Sequence, residues 1–188
     1  MKHTTPSHSL SHASAPRTGL LARLQRMLRH RWMDDADTRR AVPAELLKRL
    51  EGYVAASEAR HTGEVRICVE AGMPSSYVWR DATPRERAIA LFGKLRVWDT
   101  EHNNGVLIYL LLAERAIEIV ADRGLNAKVS NAQWQAITQR LAAALSAQKF
   151  EDGLTQALEE VSSLLVQHFA LPEGQTRRNG LPNAPDVR

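Results

Sequence analysis

Two apolar runs, Val106–Leu112 and Ala116–Val120, are separated by Ala113, Glu114 and Arg115, and nothing else in the chain restricts its fold as strongly. Runs of this length, aliphatic and β-branched and split by a short polar stretch, read as a β-hairpin. Pairing Leu112 with Ala116 sets Asp122 opposite Val106 and beside Gly105. The polar segments Asn103-Asn104-Gly105 and Asp122-Arg123-Gly124 then meet at one sheet edge, and chemistry is expected there.

The rest of the chain supplies layers for that hairpin. Val65, Ile67 and Val69 alternate with Glu64, Arg66 and Glu70, so Glu64–Glu70 reads as a first strand. Residues 71–82 hold Gly72, Pro74 and two serines and read as a loop, with Tyr77-Val78-Trp79 as a short edge strand. Thr83-Pro84-Arg85-Glu86 combines a capping box with proline at the first helical position, and Ala88, Leu91, Phe92 and Leu95 continue that helix. Strand, crossover helix and strand give a parallel pair, to which the hairpin adds a third strand antiparallel. A helix over roughly 43–60, with Pro43 at its first position, carries Leu46, Leu47, Leu50, Tyr53 and Val54 on one face. Ser130 caps a helix bearing Trp134, Ile137, Leu141 and Leu145, and Gly153 precedes another bearing Leu154, Leu158, Val161, Leu165 and Phe169. The expected fold class is α/β: a small mixed sheet of three to four strands with helices on both faces, an α/β/α sandwich.

The same residues carry a resemblance. From Gly63-Glu64 through NNGVLIYLLLAERAIEIVADRG to the helix of Trp134, roughly residues 43–170, the chain resembles the TPM domain family, named for a thylakoid lumen protein group and its relatives. Either NGVLIY or IVADRG alone is weak, but both at this spacing are fairly specific. The resemblance implies an α/β/α fold, and with it an acid-phosphatase activity reported for some members and divalent cation binding, such as calcium, in others.

Charge is unevenly spread. Lys2, Arg17, Arg23, Arg26, Arg29 and Arg31 precede the first acid, Asp34, so residues 1–33 carry +6, while the whole chain carries +4. The tail from Leu171 adds +1, which leaves residues 34–170 at −3. A nucleic-acid-binding fold concentrates Lys and Arg on the folded face that meets phosphate, so no nucleic-acid partner is expected. The single cysteine, Cys68, excludes an intramolecular disulfide and a thiolate cluster. The longest apolar run, Val106–Ala113, is far short of the ~18–20 residues of a membrane span. Residues 1–19, rich in Ser, His and Pro, read as disordered; they lack the apolar stretch of a secretory signal, and their acid-free, Arg-bearing composition is shared with organellar transit peptides. Residues 20–33 read as a basic amphipathic helix with Leu20, Leu21, Leu24, Met27 and Leu28 on one stripe. That stripe either packs on the domain or touches anionic lipid. Asp34-Asp35-Ala36-Asp37 reads as a linker, and residues 171–188 as a disordered tail. The expected localisation is cytoplasmic, with peripheral membrane contact through residues 20–33.

The first strand and the hairpin bring Glu64, Asn104, Gly105 and Asp122 to one edge, and the loop of Asp99, Thr100, Glu101 and His102 feeds it. Glu64, Asp99, Asn104 and Asp122 form an all-oxygen ligand set of the kind calcium or magnesium takes. Asp122 or Asp99 would orient water and Arg123 would meet the charge of a phosphate ester. His102 reads as a solvated loop histidine. Each of these residues also suits a turn. The expected function is a metal-dependent phosphomonoesterase; the alternative is a non-catalytic domain using the same edge for a partner protein, tethered by its basic helix. Generic α/β geometry favours the opposite edge, at Glu70, the 71–82 loop and Glu114-Arg115.

Overall fold

The computed structural model describes residues 19–33, 35–172, 174 and 180–188. The unstructured start expected for residues 1–19 lies, but for Gly19, outside them. A four-stranded sheet in the order β3-β2-β1-β4 forms the middle layer. Its strands are β1 (Val65–Glu70), β2 (Val106–Leu111), β3 (Ala116–Ala121) and β4 (Asp186–Val187). β1 pairs in parallel with β2 and β4, and β2 pairs antiparallel with β3. One face packs against α3 (Ala44–Glu58), α7 (Asn131–Ser146) and α8 (Phe150–Phe169) through Val65, Ile67, Val69, Val106, Ile108 and Leu110. The other face, with Cys68, Leu107, Tyr109 and Leu111, packs against α4 (Ser75–Trp79) and α5 (Pro84–Lys94). This is the α/β/α sandwich expected from the sequence.

Local chemistry accounts for the helix starts. The Thr83 hydroxyl accepts from the Glu86 amide while the Glu86 carboxylate accepts from the Thr83 amide, and Ser130 and Gln133 form the same reciprocal pair. All six residues of β1 are buried, because helices cover both faces of the sheet while β2 and β4 flank the strand.

Seven expectations are corrected. The hairpin pairs Leu111, not Leu112, with Ala116, because Leu112–Glu114 form a 3-10 turn closed by Arg115 at φ 50°. Of the segment Asp34-Asp35-Ala36-Asp37, expected as linker, Asp34 lies outside the described residues and the rest begins helix α2 (Asp35–Ala41). Tyr77-Val78-Trp79 belong to α4 rather than to an edge strand, since Pro74 starts a turn that continues as helix. Pro43 caps α3 from outside its first turn, and Tyr53 is exposed. Helix α8 begins at Phe150, ahead of Gly153; a Cβ on Gly153 would lie 2.8 Å from that of Ala144, so the glycine permits the close crossing with α7. The segment expected as a disordered tail contributes β4: the Arg188 amide donates to Val69 (2.9 Å) and the Ala71 amide to Arg188 (2.8 Å).

The basic helix is present as α1 (Leu20–Trp32), yet it packs by its polar side. Arg26 ion-pairs with Glu114 (2.6 Å) and Asp81 (3.1 Å), and His30 Nε2 lies 2.7 Å from Glu114. The Met73 amide donates to His30 Nδ1 (3.0 Å), so Nε2 carries the proton that Glu114 receives. Burial alone would raise the Glu114 carboxyl, but hydrogen bonds from His30 and Arg26 outweigh it and hold the group below its ordinary value.

Candidate functional site

The register places three residues in a row across the amino-terminal end of the parallel pair. Val65 pairs with Val106 and Val106 with Ala121, so Glu64, Gly105 and Asp122 follow one step earlier, and the Asp122 amide donates to the Gly105 carbonyl (2.8 Å). The one-residue difference from the expected pairing matters, because a slip of one exchanges sheet faces. Asp122 opposite Val106 would share a face with Asn104. Opposite Gly105, it leaves on the α5 side, whereas Asn104 Nδ2 donates to Thr62 Oγ1 (3.0 Å) beside the end of α8.

Close packing builds this edge. A Cβ on Gly105 would lie 1.9 Å from the Val97 carbonyl oxygen, and one on Gly124 would lie 2.4 Å from the His102 carbonyl oxygen and 2.6 Å from that of Asn103. Only glycine admits these approaches. Asn103 takes φ 50°, a conformation asparagine tolerates, and its Oδ1 accepts from Arg123 Nε (3.1 Å). The Gly124 amide closes the loop onto the Asn103 carbonyl (2.8 Å). Asp122 Oδ1 accepts from the Arg123 amide (2.7 Å) and starts the short helix α6 (Arg123–Asn126). Asn104 Oδ1 and Asp122 Oδ2 are both buried and lack a hydrogen-bond partner among the described residues. A buried oxygen left so loses its solvation without compensation, and a water or a cation restores it.

The remaining expected ligands are engaged elsewhere. Asp99 is exposed and pairs with Arg96 (2.5 Å). Glu64 is buried on the face of β1 that the 180–188 segment covers, where its Oε1 accepts from the Gly180 amide (3.0 Å). Val97 stands over Gly105, between Glu64 and Asp122. His102 is exposed, with its ring 6.4 Å from that of Phe169. Among the described residues no three His, Cys, Asp or Glu side chains form a metal-holding group. The edge therefore brings together Asp122, Asn103 and Arg123, sets Asn104 on the other face of the sheet, and holds Asp99 and Glu64 apart from them.

At the opposite edge α1 seats on part of the rival location, and with Met73, Pro74 and Ser75 it lines a cavity of about 510 Å³. The His30 backbone packs on Gly72, where a Cβ would lie 2.6 Å from the His30 carbonyl oxygen, and Glu114 is engaged by Arg26 and His30. Sequence reasoning missed a buried network beneath it. Arg87 grips Glu70 with two hydrogen bonds (3.0 and 2.5 Å), Tyr109 donates to the same carboxylate (2.7 Å), and the Tyr77 ring lies 4.8 Å from the Arg87 guanidinium. Burial, with the neighbouring Glu70 carboxylate, pushes the Tyr109 phenol up. Burial, with Asp186 and Glu70 nearby, pushes the Cys68 thiol up to about 12, far from the range of a nucleophile. Fully satisfied and closed to solvent, this cluster holds β1, β2 and α5 together. Nothing in the sequence marks it, since Glu70 falls in the polar phase of its strand and Arg87 is one of three consecutive charges at the start of α5.

The TPM domain profile matches residues 37–164, and the chain belongs to the TPM domain family. Among solved structures it is similar to the BA42 protein of the psychrophilic bacterium Bizionia argentinensis, determined by NMR, with a TM-score of 0.68 and 24% identity over 78% of this chain and 95% of that one. At that identity the likeness is one of fold. No functionally curated protein matches the chain.

Proposed function

We propose that this TPM domain binds a divalent cation, calcium or magnesium, at the edge formed by Asn104 and Asp122, and hydrolyses phosphate monoesters there. The observation that carries the reading is the pair of buried oxygens, Asn104 Oδ1 and Asp122 Oδ2, without partners among the described residues. The donor chemistry fits in kind, since hard cations take oxygen ligands. With Glu64 and Asp99 held elsewhere, the other ligands would be backbone carbonyls and water.

When bound, such a cation would supply positive charge to ester oxygens and lower the pKa of a water. The residues divide the remaining work. Asp122 anchors the site and fixes the orientation of Arg123 through its own cap. Arg123, exposed and steadied by Asn103, presents its guanidinium to a phosphate as a two-point donor. Asp99 can orient water only after leaving Arg96, and an exposed ion pair of this kind costs no more than about 1 kcal/mol to open.

Calorimetric titration of the full chain with calcium and with magnesium, followed by hydrolysis of a generic phosphomonoester, tests this. Asp122→Asn keeps a capping side chain and removes the charge, so cation binding should weaken at least about tenfold while the fold persists. Arg123→Met should raise KM. Absence of cation binding by the native chain, or hydrolysis that survives both substitutions, would remove the reading. Because the two oxygens leave the sheet on opposite faces, Asn104→Ser tells whether both belong to one ligand set.

A further inference from the structure

Helix α1 turns its apolar side away from the protein. Leu20 is 71% exposed, Leu21 77% and Trp32 78%, and Leu24 and Leu28 are exposed as well. At 100° per residue these five positions span one continuous arc of about 120°, with Arg31 within it and Arg29 beyond its edge. The opposite arc holds Arg26, Met27 and His30, which are the residues that dock the helix on Glu114, Asp81 and the α4 face. A soluble amphipathic helix buries its leucines and exposes its charges; here the arrangement is inverted.

We propose that α1 is a membrane-surface helix that rests this domain on anionic lipid. Three observations select lipid as the occupant. Arg31 is exposed within the leucine arc and Arg29 about 60° beyond its edge, and residues 1–33 carry +6 with no acid before Asp34, which complements an anionic leaflet. Trp32, at the end of the arc, belongs to the residue type that settles at the headgroup level. The arc is also too small for a stable dimer: thirteen residues make a strip about 20 Å long and about 10 Å wide, about a quarter of the ~800 Å² that each partner of a standard interface buries. The ion pairs at Arg26 hold the helix folded before it meets any surface, where an isolated helix of this length is marginal. Lipid binding then need not supply the ordering of the segment.

The test uses the full chain with vesicles of phosphatidylcholine alone or with one third phosphatidylglycerol, at low salt and at about 0.5 M salt. The chain should cosediment with the anionic vesicles only, and less so in high salt. Leu21→Ser with Leu28→Ser, and separately Arg29→Glu with Arg31→Glu, should each weaken binding at least about tenfold. Both pairs are exposed, and unchanged melting temperatures would confirm that the fold is intact. Tryptophan emission should shift to the blue on binding, and the shift should vanish in Trp32→Phe. Failure to bind anionic vesicles at low salt, or binding unaffected by the leucine pair, would overturn the proposal. So would a dimer in sedimentation that the leucine pair dissociates, since the second copy would then be the occupant.

Discussion

Gly105 shows how one missing side chain decides a local structure. Val97, in the loop after α5, places its carbonyl where a Cβ would stand, and a backbone carbonyl cannot move aside as a flexible side chain can. Gly105→Ala should therefore cost more than about 3 kcal/mol, read as a fall in the midpoint of chemical denaturation. Arg87 is decisive for a different reason. It neutralises Glu70 inside the core, with both side chains buried. Arg87→Met leaves that carboxylate with Tyr109 as its remaining hydrogen-bond donor and should cost about 3–5 kcal/mol, whereas Tyr109→Phe, which keeps the ion pair, should cost about 1–3 kcal/mol. Equal losses in the two variants would show that Glu70 is not relying on its cation. Of the residues singled out in the sequence, the position of Asn104, Asp122 and Arg123 at one sheet edge was legible because they sit at the ends of strands whose periodicity is strong. Asp99 and Glu64 were misplaced because their partners, Arg96 and Gly180, are chosen by a loop conformation and by a contact from the far end of the chain.

Among the elements, α1 depends on charge for its seat. The Glu114 carboxyl titrates below its ordinary 4.5 when α1 is docked. A lowered pKa means that the contribution of Glu114 is complete above that value and is lost as the pH falls through the lowered one. Amide resonances of α1 should therefore shift as the pH falls below about 4.5 while those of β2 stay fixed, and Glu114→Gln should flatten the dependence. Resonances of β2 moving together with those of α1 would mean global unfolding instead. The capping boxes at Thr83 and Ser130 were readable because every atom they need lies within three residues. The hairpin register was not, since it turns on Arg115 adopting φ 50° without a glycine to announce it. The inward side of α1 was likewise hidden: its leucine stripe is the ordinary mark of a buried face, and the buried side is chosen by Asp81 and Glu114, more than fifty positions away.

At the level of the whole molecule, β4 closes an edge that β1 would otherwise present. Only two residues pair, Cys68 with Asp186 and Val69 with Val187, yet the segment also takes the Arg66 guanidinium onto the Pro182 and Ala184 carbonyls. Removing residues 180–188 would expose the main chain of a fully buried strand and leave Arg66 in the core without those acceptors. Such a truncation should lower the melting temperature by several degrees, about 4 °C or more, and promote self-association at high concentration through the uncovered edge. A truncated chain that melts and sediments as the native one does would show that the segment adds nothing to the sheet. Two residues with no periodicity of their own give no strand signal, so this part of the architecture could not be read locally.

The helix α1 seats at the carboxyl ends of β1 and β2, where His30 meets Gly72 and Arg26 meets Glu114, while Asn104 and Asp122 stand at their amino ends. Six-residue strands separate the two by about 20 Å. Whatever α1 lies against is thus kept well clear of Arg123, and a molecule reaching that guanidinium has to arrive by diffusion from the surrounding water rather than by lateral travel along a bilayer.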